Sequence, residues 1–270
     1  MSQESVMFQW DYNEIEKYII AKQKIEETQV SIRIAQKLKE ELGYDPKILE
    51  AGSGNGCVVI IFDRLGFKNI QGIELNSDIV KDLNRAYPDL KIVSGNILNL
   101  DENLKNNDLV LSLGVVEHFI DGPSLPLKSM YDALKLGGYA VITVPCLNFF
   151  RKLNKIFDKN TKKLIKKSNT NFKYYPFFWN NKFHEYHMTI QEFEKECKNA
   201  GFDIIEHLPS EENLGIMHII NPKNKKGNFI WYEELEEYRY SLFGKLILLF
   251  AKYFPFTFSH FQVCVLKKTQ

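Results

Sequence analysis

Residues 48–57 read ILEAGSGNGC. A short apolar run closes on Glu50 and Ala51, and glycines follow at every second position: Gly52, Gly54 and Gly56. The run reads as a buried strand, and the glycines as a sharp turn into a helix near residue 55. In an open α/β sheet, ligands sit beyond the carboxyl ends of the strands. There the next helix offers free N–H groups and its positive end. A ligand-free turn is the plain alternative, although three alternating glycines are expensive in unfolded-state entropy. The dinucleotide fingerprint GxGxxG asks for a third glycine where Cys57 stands, and Gly56 arrives one place early. The loop thus fits a nucleotide but disfavours an NAD-dependent oxidoreductase.

Outward from this loop the pattern alternates. Apolar runs at 47–51, 69–74, 90–94, 108–113 and 138–144 are separated by helix-like segments at 55–65, 77–87 and 124–136. That rhythm predicts βαβ units and a parallel sheet. Upstream, Ile15, Ile19, Ile25, Val30, Ile34 and Leu38 trace a helix or a broken pair of helices over 11–42, with Gly43 as C-cap and Pro46 blocking continuation. Downstream, Thr189 and Glu192 form a capping box opening a helix through Asn199. FDIIEH follows as a sixth strand, and FQVCVLKK, 261–268, alternates like a last one.

The 270 residues carry a formal net charge of +1, 44% hydrophobic and 26% charged residues. This is an ordinary core-forming composition, with no global charge pointing to nucleic acid. The four cysteines, Cys57, Cys146, Cys197 and Cys264, are far apart, as expected of reduced thiols in the cytoplasm rather than a disulfide frame or zinc site. The N-terminus lacks a signal-peptide pattern, and no apolar run reaches the ~20 residues of a bilayer span.

Glu50-x-Gly52-x-Gly54-x-Gly56 resembles the acidic glycine motif of class I S-adenosyl-L-methionine (SAM)-dependent methyltransferases, position by position. Further segments extend the likeness. Glu74 ends the second strand at the spacing of a ribose-binding acid. Ser94-Gly-Asn-Ile97 follows the third strand. Gly114-Val-Val-Glu-His118 follows the fourth and is similar to the segment of type 11-like enzymes that modify small molecules, glycans and quinones. LKLGG, 134–138, enters the fifth. The resemblance covers about residues 45–145 well, and 185–208 and 260–268 loosely.

It implies an α/β, Rossmann-like fold: seven mostly parallel strands, an antiparallel last strand, and helices on both faces. It implies SAM as cofactor and S-adenosyl-L-homocysteine as product. Glu50, Gly52, Ser53, Gly54 and Gly56 would hold the methionine end, with Glu50 toward the ammonium and the helix N-terminus toward the carboxylate. Glu74 and Leu75 would take the ribose side, Asn96 and Ile97 the adenine, and Gly114 the end of the fourth strand. His118, where methyl group and acceptor meet in the family, is a candidate base or substrate orienter; fixing the loop or touching the cofactor is its structural alternative. His187, in FHEYHM with His184 and Tyr186, is the second catalytic candidate. That segment is expected to line the acceptor pocket, and no metal is expected, because no neighbouring cluster completes a site.

The expected organisation is one domain over 1–270. A helical cover, 1–44, precedes a SAM-binding core, 45–145. Insertions at 145–188 and 209–259 cap the acceptor, and 189–208 and 260–270 complete the core. The first insertion contains RKLNKIFDKNTKKLIKKSNTNFK, 151–173, with nine Lys or Arg against one Asp. It reads as a solvated helix capping the cleft, a lid over an anionic acceptor, or a surface helix on anionic lipid. The second ends in SLFGKLILLFAKYFPFTF, 241–258, whose wide apolar face suits core packing, a dimer contact or peripheral membrane contact. The expected activity is methyl transfer, on oxygen, to a small molecule, a glycan or a lipid-linked precursor, in the cytoplasm or at the inner face of a membrane. Nucleic acid is not expected as a partner, since no Asn/Asp-Pro-Pro-aromatic motif follows the fourth strand. A non-catalytic SAM-fold binding or assembly protein is the alternative.

Overall fold

Strand β1 (Ile48–Ala51) is buried at every position, as a strand covered by helices on both sides must be. Its side chains alternate between two cores. Ile48 joins Leu109, Leu111 and Val141 under the helices α1 (Ile15–Gln23), α2 (Glu26–Leu42), α3 (Cys57–Arg64) and α4 (Ser77–Ala86). Leu49 joins Val110, Ala140 and Ile142 under α5 (Ser124–Ala133) and α8 (Ile190–Asn199). Each residue of a strand faces opposite to its neighbours, so one sheet feeds both layers.

The computed structural model describes residues 15–211, 214–216, 246 and 249–270. The main sheet has seven strands in the order β3-β2-β1-β4-β5-β9-β8. They are β1, β2 (Ile70–Glu74), β3 (Ile92–Ser94), β4 (Asn107–Leu113), β5 (Leu134–Pro145), β8 (Asp203–Ser210) and β9 (Phe261–Lys267). Pairings from β3 through β5 are parallel, and β9 runs antiparallel to both β5 and β8. This is the architecture expected from the sequence. The chain builds outward from β1 to β3, then crosses to β4 on β1's other side. The resulting reversal between β1 and β4 opens a crevice at their carboxyl ends.

The predicted helical cover breaks into α1 and α2 at Lys24 and Ile25. Gly43, at φ 70°, closes α2 by donating its N–H to the Lys39 carbonyl. Arg64 of α3 holds Glu16 of α1 through two bonds of 2.9 and 2.6 Å, pinning the cover onto the helix that follows the glycine loop. The Thr189–Glu192 capping box is present.

The first insertion departs from its expected form. After α6 (Phe149–Phe157) and α7 (Lys159–Ser168) it pairs with itself as a hairpin, β6 (Tyr175–Trp179) and β7 (Lys182–His187). Aromatic YPFFW has strand propensity, and Asn180 and Asn181, both at positive φ, make the turn. Residues 11–14 and most of the second insertion, including Leu242, Phe243, Lys245 and Ile247, lie outside the described residues. Among the described residues, no helix is long and apolar enough to cross a membrane.

Candidate active site

The glycine loop lies at the β1 end of the crevice. Gly52 turns at φ +90°, and a Cβ there would meet Val115 Cγ2 at 2.6 Å. Only glycine lets the β4 loop close over this point. A Cβ on Gly54 would meet nothing within 4 Å, so its upper side is open to a ligand. Gly56 packs down on Leu83 and Ile92.

The loop's own N–H groups differ from expectation. Those of Gly52 and Ser53 both go to the Ile73 carbonyl at 2.9 Å. That of Gly54 goes to Glu74 Oε2, also at 2.9 Å. The donors nearest the ligand space therefore brace the loop on β2 rather than point outward. Glu74 consequently does two jobs. It accepts from Gly54 and from Asn76 N–H, at 2.9 Å, which fixes both carboxylate oxygens at the strand end. Their remaining lone pairs are left for a pair of hydroxyls.

Glu50, on Ile48's face, is buried, and its Oε2 has no hydrogen-bond partner among the described residues. Burial pushes its carboxyl up to about 8, against the opposing pull of Lys22 from α1 and the Val59 N–H. Ser53 Oγ is likewise buried and unpartnered. Buried acceptors at the mouth of a strand are costly until a donor arrives. The SAM ammonium is such a donor, so the residues present fit the cofactor. Leu75 is exposed beside Glu74. Beyond β3, Asn96 Oδ1 accepts from Leu98 N–H at 2.9 Å, shaping the turn, and Ile97 is buried under it. Gly114 sits at φ +77°, with Glu117 Oε1 the nearest atom to an added Cβ.

This burial has a pH consequence. A neutral Glu50 must lose its proton to pair with an ammonium. SAM affinity is therefore expected to rise with pH toward 8, by up to about tenfold per unit, until the ammonium itself begins to lose its proton. Calorimetry at pH 7 in two buffers of different ionisation heat reads the released proton. Glu50→Gln should abolish both effects. Equal wild-type affinity at pH 6 and 8, with no proton released, contradicts this role. The same raised group favours the unliganded fold below its unfolded value of about 4.5. That contribution is lost as pH rises through 8.

The hairpin packs against the carboxyl ends of β4 and β5. Leu147 N–H donates to the Met188 carbonyl and Met188 N–H to the Pro145 carbonyl, stitching the end of β7 to the end of β5. Tyr186, fully buried, donates its hydroxyl to the Ile120 carbonyl at 2.7 Å. It packs the hairpin onto the β4 loop and does not line the pocket as expected. His118 Nδ1 lies 2.8 Å from the His184 carbonyl. A carbonyl only accepts, so Nδ1 donates to it, and Nε2 is the ring nitrogen left to exchange a proton. His118 is exposed.

Glu185 is the residue the sequence reading passed over. Its Oε1 lies 3.0 Å from His187 Nε2 and its Oε2 3.7 Å from His184 Nε2. Burial opposes its charge, yet the His187 hydrogen bond and the surrounding imidazoles hold it well below the usual carboxylate range, at about 2. His187 itself is buried, stacked on Phe177 at 5.4 Å. Burial first, then the Arg151 cation, pushes its imidazole down to about 4. It therefore stands behind Glu185 as a neutral donor. Donor atoms of His118, His184 and Glu185 lie within 4.8 Å of one another. The sequence had paired His184 with His187 and found no third group; the fold supplies Glu185 and brings His118 from 66 residues away.

A class I methyltransferase sheet, a glycine loop with a buried acid before it and a braced acid on β2 define the class. A sequence model of the methyltransferase-domain family matches residues 24–207, and the chain belongs to that family, with SAM as its cofactor. It is 24% identical over 197 residues to the demethylmenaquinone methyltransferase of Chlorobaculum tepidum, covering 68% of this chain and 78% of that one. A SAM-dependent methyltransferase structure from Clostridium acetobutylicum superposes with a TM-score of 0.57 at 13% identity, covering 96% and 99% of the two chains. Another, from Methanosarcina mazei, gives 0.52 at 16% identity over 83% and 92%. At these identities the two structures speak to the fold alone.

Proposed function

We propose that this protein transfers the methyl group of SAM to an oxygen of a small-molecule acceptor, free, glycan-borne or lipid-linked, with His118 taking the hydroxyl proton. The observation that carries this reading is the His118 Nδ1 contact with the His184 carbonyl, which leaves the Nε2 side of an exposed ring beyond β4 to take the proton. SAM supplies a methyl on a good leaving group, so the remaining tasks are placement and proton removal. Glu50 and Glu74 hold the cofactor ends. His184 orients His118. Glu185, ionised and backed by His187, stabilises positive charge as His118 takes up a proton. Glu185 and His187 are positioning residues in this scheme.

The similarity to a demethylmenaquinone methyltransferase supports an apolar, quinone-type molecule as one acceptor class. The His118, His184 and Glu185 group acts here as a proton relay and not as a cation site. Label from methyl-labelled SAM, incubated with fractionated cell extract, should enter one acceptor fraction, with one S-adenosylhomocysteine formed per label. A chelator should leave the rate unchanged. Saturable SAM binding without label transfer to any fraction would favour the binding-protein alternative. Chelator inhibition reversed by a divalent cation would replace the relay with a metal.

A further inference from the structure

Helix α6 is amphipathic in the wrong sense for a soluble protein. Successive residues rotate by about 100°, which gathers Phe149, Phe150, Leu153, Ile156 and Phe157 on one side and Arg151, Lys152, Asn154 and Lys155 on the other. An ordinary surface helix turns its apolar side to the core. Here no α6 residue is buried. Phe157 is 77% exposed and Ile156 61%. Of its apolar residues Phe150 turns inward, its ring 5.2 Å from Phe258.

That contact joins α6 to a segment a hundred residues away. Phe258 meets Phe250 at 6.2 Å, and Phe250 meets Phe254 at 4.7 Å. Around them Leu246, Leu249, Tyr253 and Phe254 are all exposed, Tyr253 at 76%. The two segments, separate in the sequence, form one apolar surface. Patches of this kind on a soluble chain mark a contact site.

The charge beside it selects the occupant. Helix α7 follows α6 after one residue, Asp158, whose carboxylate caps it through Thr161 N–H at 2.9 Å. Its Lys159, Lys162, Lys163, Lys166 and Lys167 fall on one outward stripe, opposite Thr161, Leu164 and Ile165. A second copy of the chain would set lysines against lysines. An anionic lipid surface instead accepts both features, with hydrocarbon for the phenylalanines and headgroups for the lysines.

We infer that α6, α7 and the segment around Phe250–Phe258 form a docking surface for an anionic lipid bilayer. Asn148 caps α6 through the Arg151 N–H, directly after β5 ends. Arg151 itself donates to the Cys146 and His260 carbonyls. The surface therefore adjoins the carboxyl edge of the sheet, where the acceptor site lies. It does not depend on the methyl-transfer reading, because vesicle binding is measured without turnover.

The test is flotation of the full chain with vesicles of equal phosphatidylcholine and phosphatidylglycerol, and with phosphatidylcholine alone. Binding to the anionic vesicles at low salt, weakened at high salt, is expected, with little binding to the neutral ones. Ile156→Glu with Phe157→Glu, and separately Lys163→Glu with Lys167→Glu, should each weaken partitioning by roughly tenfold or more. SAM affinity, read by calorimetry, should stay unchanged and report an intact fold. The inference is overturned if the wild type does not float with anionic vesicles at low salt, or if both variants float as well as it does. It is equally overturned if the exposed face instead drives a dimer that Phe157→Glu dissolves, with no flotation.

Discussion

Glu74→Ala is expected to weaken SAM binding by at least about a hundredfold. The carboxylate ends β2 with one oxygen on Gly54 N–H and the other on Asn76 N–H. Beside it, a Cβ added to Gly54 would find nothing within 4 Å. Hydrogen bonds to a charged group contribute about 1.5–3 kcal/mol each, and 1.4 kcal/mol is a factor of ten. Loss of two such bonds to ribose hydroxyls accounts for the estimate, and release of the Gly54 brace adds to it. Glu74→Gln keeps one acceptor oxygen and should lose roughly tenfold. Calorimetric titration with SAM and S-adenosylhomocysteine measures both. Unchanged affinity in Glu74→Ala would remove Glu74 from the cofactor site.

His118→Ala is expected to bind SAM normally and to lose activity by about 10²–10⁴-fold, the usual contribution of a general base. The two effects separate because His118 lies beyond β4, on the 3-10 turn Val116–His118, in contact with His184. Glu50 and Glu74, the residues proposed to hold the cofactor, are on β1 and β2. Exposure of the ring makes the substitution benign for folding. Turnover at given SAM and acceptor concentrations reads the loss. Near-full turnover with intact SAM binding would leave His118 a structural tie between the β4 loop and the hairpin.

The cofactor half was legible because its chemistry is local. An acid, three alternating glycines and a second acid at the end of the next strand lie within 25 residues, and each requirement constrains a residue type. The sheet was legible for the same reason, since buried strands and their helices alternate in order. The acceptor half depends on contacts between distant residues. Tyr175 pairs with His187 across a hairpin that the preceding basic run disguised. Glu185 looked like a spacer between histidines. The alternation in KFHEYH, with Glu185 and His187 two apart, was the available signal that they share a strand face. Nothing near position 118 indicates His184 as its partner. The loop's inward hydrogen bonds were also out of reach, because they depend on where β2 ends beside β1. The outward apolar side of α6 was visible as amphipathicity, but which side faces solvent is decided by Phe150 meeting Phe258.

The central claim is transfer to oxygen with His118 as base. Its most direct measurement is a reaction of the protein with SAM carrying a carbon-13 methyl group and the acceptor fraction, read by the carbon chemical shift of the product. The account predicts one new oxygen-bound methyl signal, growing in step with S-adenosylhomocysteine and suppressed in His118→Ala. A methyl on carbon or nitrogen, or bound SAM that never becomes S-adenosylhomocysteine, would contradict it.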